Sequence, residues 1–373
     1  MAQGGGMKGL WVAGLAAVLA QSAGAQEAPK GKAAVDVVFI IDTTSSMGGL
    51  LEAAKTKVWG IANEIAKGKP TPEIRMGLVA FRDKGDAYVT QVTDLTKDLD
   101  KMYAQLLALR PEGGGDGPEH VVQALADAGA KVSWSKDPKT FKVAYLVGDA
   151  PAHEDYADAP KLDAVVQALV KKGVVVNTIQ CGSGGQTQEQ WTRVARLGEG
   201  RYAALAHDGG VADSGTPFDA RLSELGSRLD GTTLAFGARR ESTVASLSAA
   251  RGMMAMAPAS AAAERASFKA GSGGSAFEAD SDLLAAVESK RVDLGKLKDS
   301  ELPADLRGKT PEERKARLDA TRREREALKA EIASVAKERD AWRKKNAAPK
   351  GDAFDAKLVE TLKVQAARKG IAY

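Results

Sequence analysis

A near-continuous apolar run, VDVVFII at residues 35–41, is the strongest indication of architecture in this 373-residue chain. A strand that is apolar on both faces is typical of the centre of a parallel sheet covered by helices on both sides. Further strand-like runs lie at residues 76–81, 142–147 and 174–179, and segments with helical spacing of apolar residues separate them. This alternation predicts an α/β fold with a doubly wound, mostly parallel sheet over residues 34–236.

The amino terminus has the layout of a secretory signal peptide. Residues 10–20 are apolar, Lys8 places a positive charge before them, and small residues end at Ala25. We predict a signal peptide over residues 1–25 and an exported, periplasmic or secreted protein. The apolar run is shorter than the roughly 20 residues that a transmembrane helix needs, and no later stretch reaches that length. An uncleaved membrane anchor is the alternative to a cleaved signal.

Charge and cysteine usage exclude some classes of protein. Lys and Arg number 53 and Asp and Glu 49, so the net charge of +4 is small. Because a nucleic-acid binder usually has a larger basic excess, we expect no nucleic-acid partner. The single cysteine, Cys181, excludes an intramolecular disulfide and a cysteine-based zinc finger.

The carboxyl-terminal part differs in composition from the domain before it. Residues 237–300 are rich in Ala, Ser, Gly and Met, which predicts a low-complexity linker or loosely structured region. Thr310 and Pro311 favour the start of a long polar helix within a helical tail at residues 301–373. Apolar residues at heptad spacing leave open a coiled coil and helix-mediated self-association, with a solvated tail or docking to an acidic envelope surface as alternatives.

Oxygen-bearing side chains follow the ends of separate predicted strands. Asp42, Thr44 and Ser46, in the segment DTTSS, come directly after the first strand. Asp149 follows the strand at residues 142–147, and Asp116 lies in the glycine-rich loop GGGDGP. The carboxyl ends of parallel strands meet at one edge of a sheet, so these side chains are expected close together. Carboxylate and hydroxyl oxygens suit Mg²⁺, Mn²⁺ or Ca²⁺ rather than a soft metal.

Other interpretations of these acidic residues stay open. Asp42 and Asp116 could each cap the helix that follows, and Asp83 is expected to pair with Arg82. We expect no enzymatic activity, because the chain has neither a Gly-x-x-x-x-Gly-Lys-Ser/Thr loop nor a Gly-x-Ser-x-Gly elbow. A metal-dependent hydrolase or phosphotransferase that uses the same acidic cluster is the alternative.

The order and spacing of these residues resemble a von Willebrand factor type A (VWA) domain with its metal-ion-dependent adhesion site (MIDAS). The family pattern has Asp-x-Ser/Thr-x-Ser after the first strand, a Thr in a later loop and an Asp after the fourth strand. Asp42, Thr44 and Ser46 match the first part and Asp149 matches the last, whereas Asp116 stands where the family usually has Thr. The phrases DTTSSM, GLVAFRD and GGGDGPE are also similar to a subgroup of exported bacterial VWA proteins.

The resemblance implies a Rossmann-like domain that holds Mg²⁺, or Ca²⁺ or Mn²⁺, and keeps one coordination position open. In the family an acidic side chain of a protein partner fills that position, as in cell adhesion. We therefore expect an exported, metal-dependent protein-binding module, with an envelope structural or tethering protein as a further alternative. The carboxylate at Asp116 should strengthen cation binding and weaken the attraction for an anionic ligand.

Overall fold

The computed structural model of the protein describes most of the chain after the predicted signal peptide. The described residues are Met1, 33–115, 117–205, 215–271, 282–346 and 354–373, with side chains in the last range from Leu358 onward. The predicted signal peptide and the site candidate Asp116 therefore lie outside the described residues. Within the described ranges no helix combines the length and apolar character needed to cross a membrane.

The sheet confirms the predicted doubly wound, mostly parallel fold. Its strands, in the spatial order β3-β2-β1-β4-β5-β6, are β1 (Ala34–Asp42), β2 (Glu73–Phe81), β3 (Thr90–Thr96), β4 (Phe141–Gly148), β5 (Val174–Cys181) and β6 (Glu199–Leu205). Neighbouring strands run parallel except β2 and β3, which are antiparallel. Asp42 pairs with Phe81, and Ile41 pairs with Val147, so β1, β2 and β4 end level at one edge.

Helices cover both faces of this sheet because alternate side chains of its central strand point to opposite sides. The helices are α1 (Gly48–Ala66), α2 (Leu99–Ala108), α3 (Val121–Ala130), α4 (Leu162–Lys171), α5 (Gly185–Leu197), α6 (Asp219–Gly231), α7 (Arg240–Met256), α8 (Ala259–Ala270), α9 (Leu283–Glu288), α10 (Pro311–Asn346) and α11 (Phe354–Ala367). Val37, Phe39 and Ile41 pack with α1, α2, α8 and α11. Val38 and Ile40 pack with α3, α4 and α5 on the other face.

The region 237–300, for which composition predicts a linker or loose structure, contains α7, α8 and α9. Buried alanines such as Ala261 and Ala263 bring α8 close to its neighbours. A Cβ on Gly226 of α6 would lie 2.8 Å from the Cβ of Ala266. Small side chains thus allow a close helix contact. Because the buried and exposed residues of these helices differ little in hydrophobicity, the sequence shows little helical periodicity.

The apolar face of α10 packs against another helix of the same chain. Leu328 and Ile332 are buried in one cluster with Leu222, Leu225 and Leu229 of α6. The heptad spacing that left open a coiled coil therefore corresponds to an intramolecular helix contact.

Three buried arginines join these helices to one another and to the domain, so α10 is not a solvated tail. Each is held by carboxylates on other elements: Arg265 by Asp100 and Asp230, Arg325 by Asp282, and Arg339 by Asp219 and Glu264.

Candidate metal site

The turn after β1 folds its hydroxyl groups onto Asp42. The Oδ1 atom of Asp42 accepts hydrogen bonds from the backbone N–H of Thr44 at 2.8 Å and from its hydroxyl at 2.7 Å. The Thr44 Oγ1 lies 3.3 Å from the Ser46 Oγ. Asp42 and Thr44 are each 1% exposed, whereas Ser46 is exposed. The first part of the predicted motif therefore forms one connected set of oxygens that starts in the protein interior and ends at its surface.

The glycine-rich loop is held against this turn. The carbonyl oxygen of Gly113 accepts hydrogen bonds from the backbone N–H of Ser45 at 3.2 Å and from its hydroxyl at 2.8 Å. On the other side, the N–H of Gly114 donates to Asp86 Oδ2 at 3.1 Å. Gly113 has a φ of +81°, and a Cβ there would lie 2.3 Å from Asp86 Oδ1. Glycine is therefore required for both conformation and space.

Asp149 lies at the same edge of the sheet as Asp42. It follows Gly148, the last residue of β4. A Cβ on Gly148 would lie 3.0 Å from Asp42 Cβ and 3.2 Å from Asp42 Oδ2, so the two strand ends approach closely. The backbone oxygen of Asp149 accepts a hydrogen bond from Thr187 Oγ1 at 3.3 Å, which ties this loop to α5.

The electrostatics of the site disfavour a bare carboxylate at Asp42. Burial is the main reason why the pKa of Asp42 is raised from 3.8 to about 7, although the hydrogen bonds from Thr44 lower it. The negative charges of Asp149 and Asp86 raise this pKa further, which shows that these groups share one electrostatic environment. A cation bound at this edge of the sheet would lower the pKa of Asp42, because it favours the ionised carboxylate.

Glu119 is a site residue that the sequence interpretation missed. It is 3% exposed, and its Oε1 lies 3.5 Å from the position that a Cβ would take on Gly114. Burial, followed by the charges of the nearby aspartates, of which Asp42 contributes most, raises the pKa of Glu119 to about 9. The phrase GGGDGPE contains this residue, but the pattern draws attention to Asp116, which is central among the glycines.

Asp83 takes a different partner from the one predicted. The hydroxyl of Tyr156 donates to Asp83 Oδ2 at 2.6 Å, and His153 Nε2 lies 3.7 Å from the same oxygen. Arg82 instead donates from Nη2 to the carbonyl oxygen of Arg110 at 2.7 Å. Asp83 therefore links the loop after β2 to the loop after β4 at the rim of the site.

The donor set fits a hard divalent cation only when hydroxyl groups are counted. Within the described part of the chain, no group of three or more His, Cys, Asp and Glu side chains is arranged to hold a metal ion. Thr44 and Ser46 would have to supply oxygens beside Asp42 and Asp149, as the MIDAS pattern implies. Glu119 adds a buried oxygen, Oε2, that has no hydrogen-bond partner among the described residues. Such an atom is what a bound ion or its water would satisfy.

The fold and this edge of hydroxyls and carboxylates define a Rossmann-like α/β domain with a candidate cation site beyond its strand ends. Residues 36–212 match the family model described as von Willebrand factor A domain. VWA domains commonly carry a MIDAS and mediate protein–protein interaction. No curated protein shows a significant match.

Solved structures that are similar to part of this chain include two proteins of low sequence identity. One is proximal thread matrix protein 1 from the mussel byssus with a zinc-occupied MIDAS motif; it is 18% identical over 48% of this chain, with a TM-score of 0.38. The match covers 43% of the mussel protein, so the chain spans under half of its length. Another is the SpRpn10 VWA domain, 17% identical over 47% of this chain and 89% of that domain, with a TM-score of 0.36.

Proposed function

We propose that this protein is an exported binding module that holds a divalent cation at the edge formed by Asp42, Thr44, Ser46 and Asp149. Through that cation it captures a protein partner, whose acidic side chain completes the metal shell. The observation that carries the proposal is the hydrogen-bonded set of Asp42, Thr44 and Ser46 at the strand end beside Asp149. Mg²⁺ is the proposed ion, with Ca²⁺ and Mn²⁺ as alternatives that the same oxygens accept.

Thr44, Ser46 and the bound cation have separate roles in the proposed site. Thr44 fixes the orientation of Asp42 through two hydrogen bonds, so the carboxylate needs little reorganisation when a cation binds. Ser46 is exposed and places its hydroxyl at the surface, where a partner approaches. The cation, when bound, supplies a Lewis-acidic position for an acidic group of the partner.

A binding role is proposed rather than catalysis. The one thiol, Cys181, is 1% exposed, and burial raises its pKa above the ordinary range for thiols, so it is poorly suited as a nucleophile. Export is proposed from the layout of the signal peptide. Mass spectrometry of protein purified from its native source should give an amino terminus at Gln26; an intact Met1 or Met7 terminus would contradict this part of the proposal.

Calorimetry on the full chain tests the cation site. Titration with Mg²⁺, Mn²⁺, Ca²⁺ and Zn²⁺ should show binding to the wild type and at least a tenfold loss of affinity in Asp42→Asn. The matched control is Asp158→Asn, because the Asp158 side chain is 74% exposed and paired only with Lys84 among the described contacts. Equal affinity of the wild type and Asp42→Asn would remove this site from the proposal.

A second experiment tests the partner. Proteins cross-linked to the wild type in the native envelope should be lost on chelation and in Asp42→Asn, but retained in Asp158→Asn. A partner set that is the same in all samples would contradict capture through a cation. Hydrolysis of generic phosphoesters that requires Mg²⁺ and vanishes in Asp42→Asn would favour the enzymatic alternative instead.

A further inference from the structure

The geometry points to Glu119 as the residue of the glycine-rich loop whose carboxylate faces the bound cation through a water molecule. This inference rests on the proposed function, since it assigns a further residue to the same cation site. Asp116, the residue of this loop that the sequence suggested, lies outside the described residues and stays a prediction.

The first support is an unsatisfied oxygen in the protein interior. Glu119 is 3% exposed, yet its Oε2 has no hydrogen-bond partner among the described residues. A buried carboxyl oxygen without a partner is costly, because water no longer solvates it and no donor replaces the water. A cation, or a water bound to one, removes that cost.

The second support is the direction of the side chain. The Glu119 Oε1 is 3.5 Å, and the Thr44 Cβ 3.2 Å, from the position that a Cβ would take on Gly114. Glu119 and Thr44 therefore flank the same small space above a bare glycine. Because the Thr44 hydroxyl bonds to Asp42, this space borders the turn that carries the oxygens proposed for the cation.

The third support is that the backbone, not the side chain, holds Glu119 in place. Its N–H donates to the carbonyl oxygen of Pro151 at 2.9 Å, and its carbonyl oxygen accepts from the N–H of His153 at 3.0 Å. These two bonds join the glycine-rich loop to the segment that follows Asp149. A change confined to the carboxyl group should therefore leave the local backbone intact.

The charge of the site favours retention of a divalent cation. An ionised Glu119 that reaches the cation through water adds one negative charge to those of Asp42 and Asp149, so negative charge exceeds positive by one when all three are ionised. This excess favours tight retention of a hard cation and disfavours its replacement by a monovalent ion. Asp86, which binds Gly114, is positioned to orient the loop rather than to contact the ion.

Calorimetry with Mg²⁺ and Mn²⁺ on the full chain tests the inference. Glu119→Gln keeps the size of the side chain and should weaken cation affinity at least tenfold. A control from the same loop, Glu112→Gln, should stay within threefold of the wild type, because the Glu112 side chain is 66% exposed. A Glu119→Gln affinity within threefold of the wild type would overturn the assignment.

Thermal unfolding separates a ligand role from a purely structural one. In chelator, Glu119→Gln should melt near the wild-type temperature, because the amide has the size and charge of the protonated carboxyl group that it replaces, while the rise in melting temperature caused by Mn²⁺ should be reduced. Equal Mn²⁺ stabilisation of the two proteins would argue for a structural role. If Glu119→Gln does not fold, Glu119→Asp serves, with an expected threefold or greater loss of affinity; wild-type affinity in that variant would overturn the inference.

Different results would contradict the proposed function and the inference about Glu119. No cation binding by the wild type would remove the proposed function itself. Binding that Asp42→Asn abolishes and Glu119→Gln leaves unchanged would remove only the inference about Glu119.

Discussion

Cation binding should depend strongly on pH, because a cation must displace protons from buried carboxyl groups. The pKa of Asp42 is raised to about 7, so this group is mostly protonated at pH 6 and mostly ionised at pH 8 in the cation-free protein. From Asp42 alone, affinity should fall about tenfold between pH 8 and pH 6, or about 1.4 kcal/mol. If Glu119, with a pKa of about 9, also loses its proton on binding, the fall approaches a thousandfold.

Calorimetry in two buffers of different ionisation enthalpy counts the released protons directly. At pH 6 the wild type should release about two protons per cation, and Glu119→Gln about one. Affinity and proton count that do not change between pH 6 and pH 8 would refute the reasoning, since Asp42 would then be ionised before the cation arrives.

The same shift predicts how the cation-free protein responds to pH. Because the pKa of Asp42 is higher in the folded state, the folded protein binds more protons than the unfolded chain between about pH 4 and pH 7. The stabilising contribution of protonated Asp42 is complete below the unfolded pKa and is lost as the pH rises through about 7. It amounts to roughly 4 kcal/mol, and urea unfolding in chelator should show it in the wild type but not in Asp42→Asn.

Three substitutions test the packing around the site and the added helices. Arg265→Ala removes the partner of buried Asp100 and one of the two partners of Asp230, and should lower the free energy of unfolding by about 3–5 kcal/mol in urea denaturation. Exposed Arg221→Ala should cost far less, and equal losses would contradict a stabilising role of the buried ion pairs. Gly148→Ala should weaken cation affinity, because the added methyl group displaces Asp42. Gly185→Ala should leave the affinity unchanged, because a Cβ there has open space around it. Unchanged affinity in both variants would show that the strand ends accommodate the methyl group without moving Asp42. Leu328→Ala should cost about 2–5 kcal/mol without changing the mass in sedimentation; dissociation of an oligomer would show that α10 also joins copies of the chain.

The strands could be predicted from sequence because a strand that is buried on both faces is largely restricted to apolar residues. The run at residues 35–41 became β1, and the strand at residues 142–147 lies within β4. Their shared edge also brought Asp42 and Asp149 together, since parallel strands must end on the same side. These parts of the prediction depend on local pattern and on a general rule of topology.

Glu119 and the added helices could not be read in the same way. The role of Glu119 depends on a backbone pairing with the segment after Asp149, which is 30 or so residues away and leaves no local signature. The region of α7 and α8 is built from Ala, Ser and Met, whose weak contrast hides the buried face. The burial of Arg265 and Arg339 could not be predicted, because only the fold brings together the carboxylates that surround them.

The arginine network determines what a shortened version of this protein would be. Arg339 on α10 neutralises Asp219 at the start of α6, and Arg265 on α8 neutralises Asp230 at its end. A chain cut after residue 237 would leave both aspartates without these counter-charges, on a helix whose leucines had lost their cover. Missing interactions in such a truncation would therefore report a collapsed scaffold rather than a deleted binding surface, and point substitutions are the sound way to dissect this molecule.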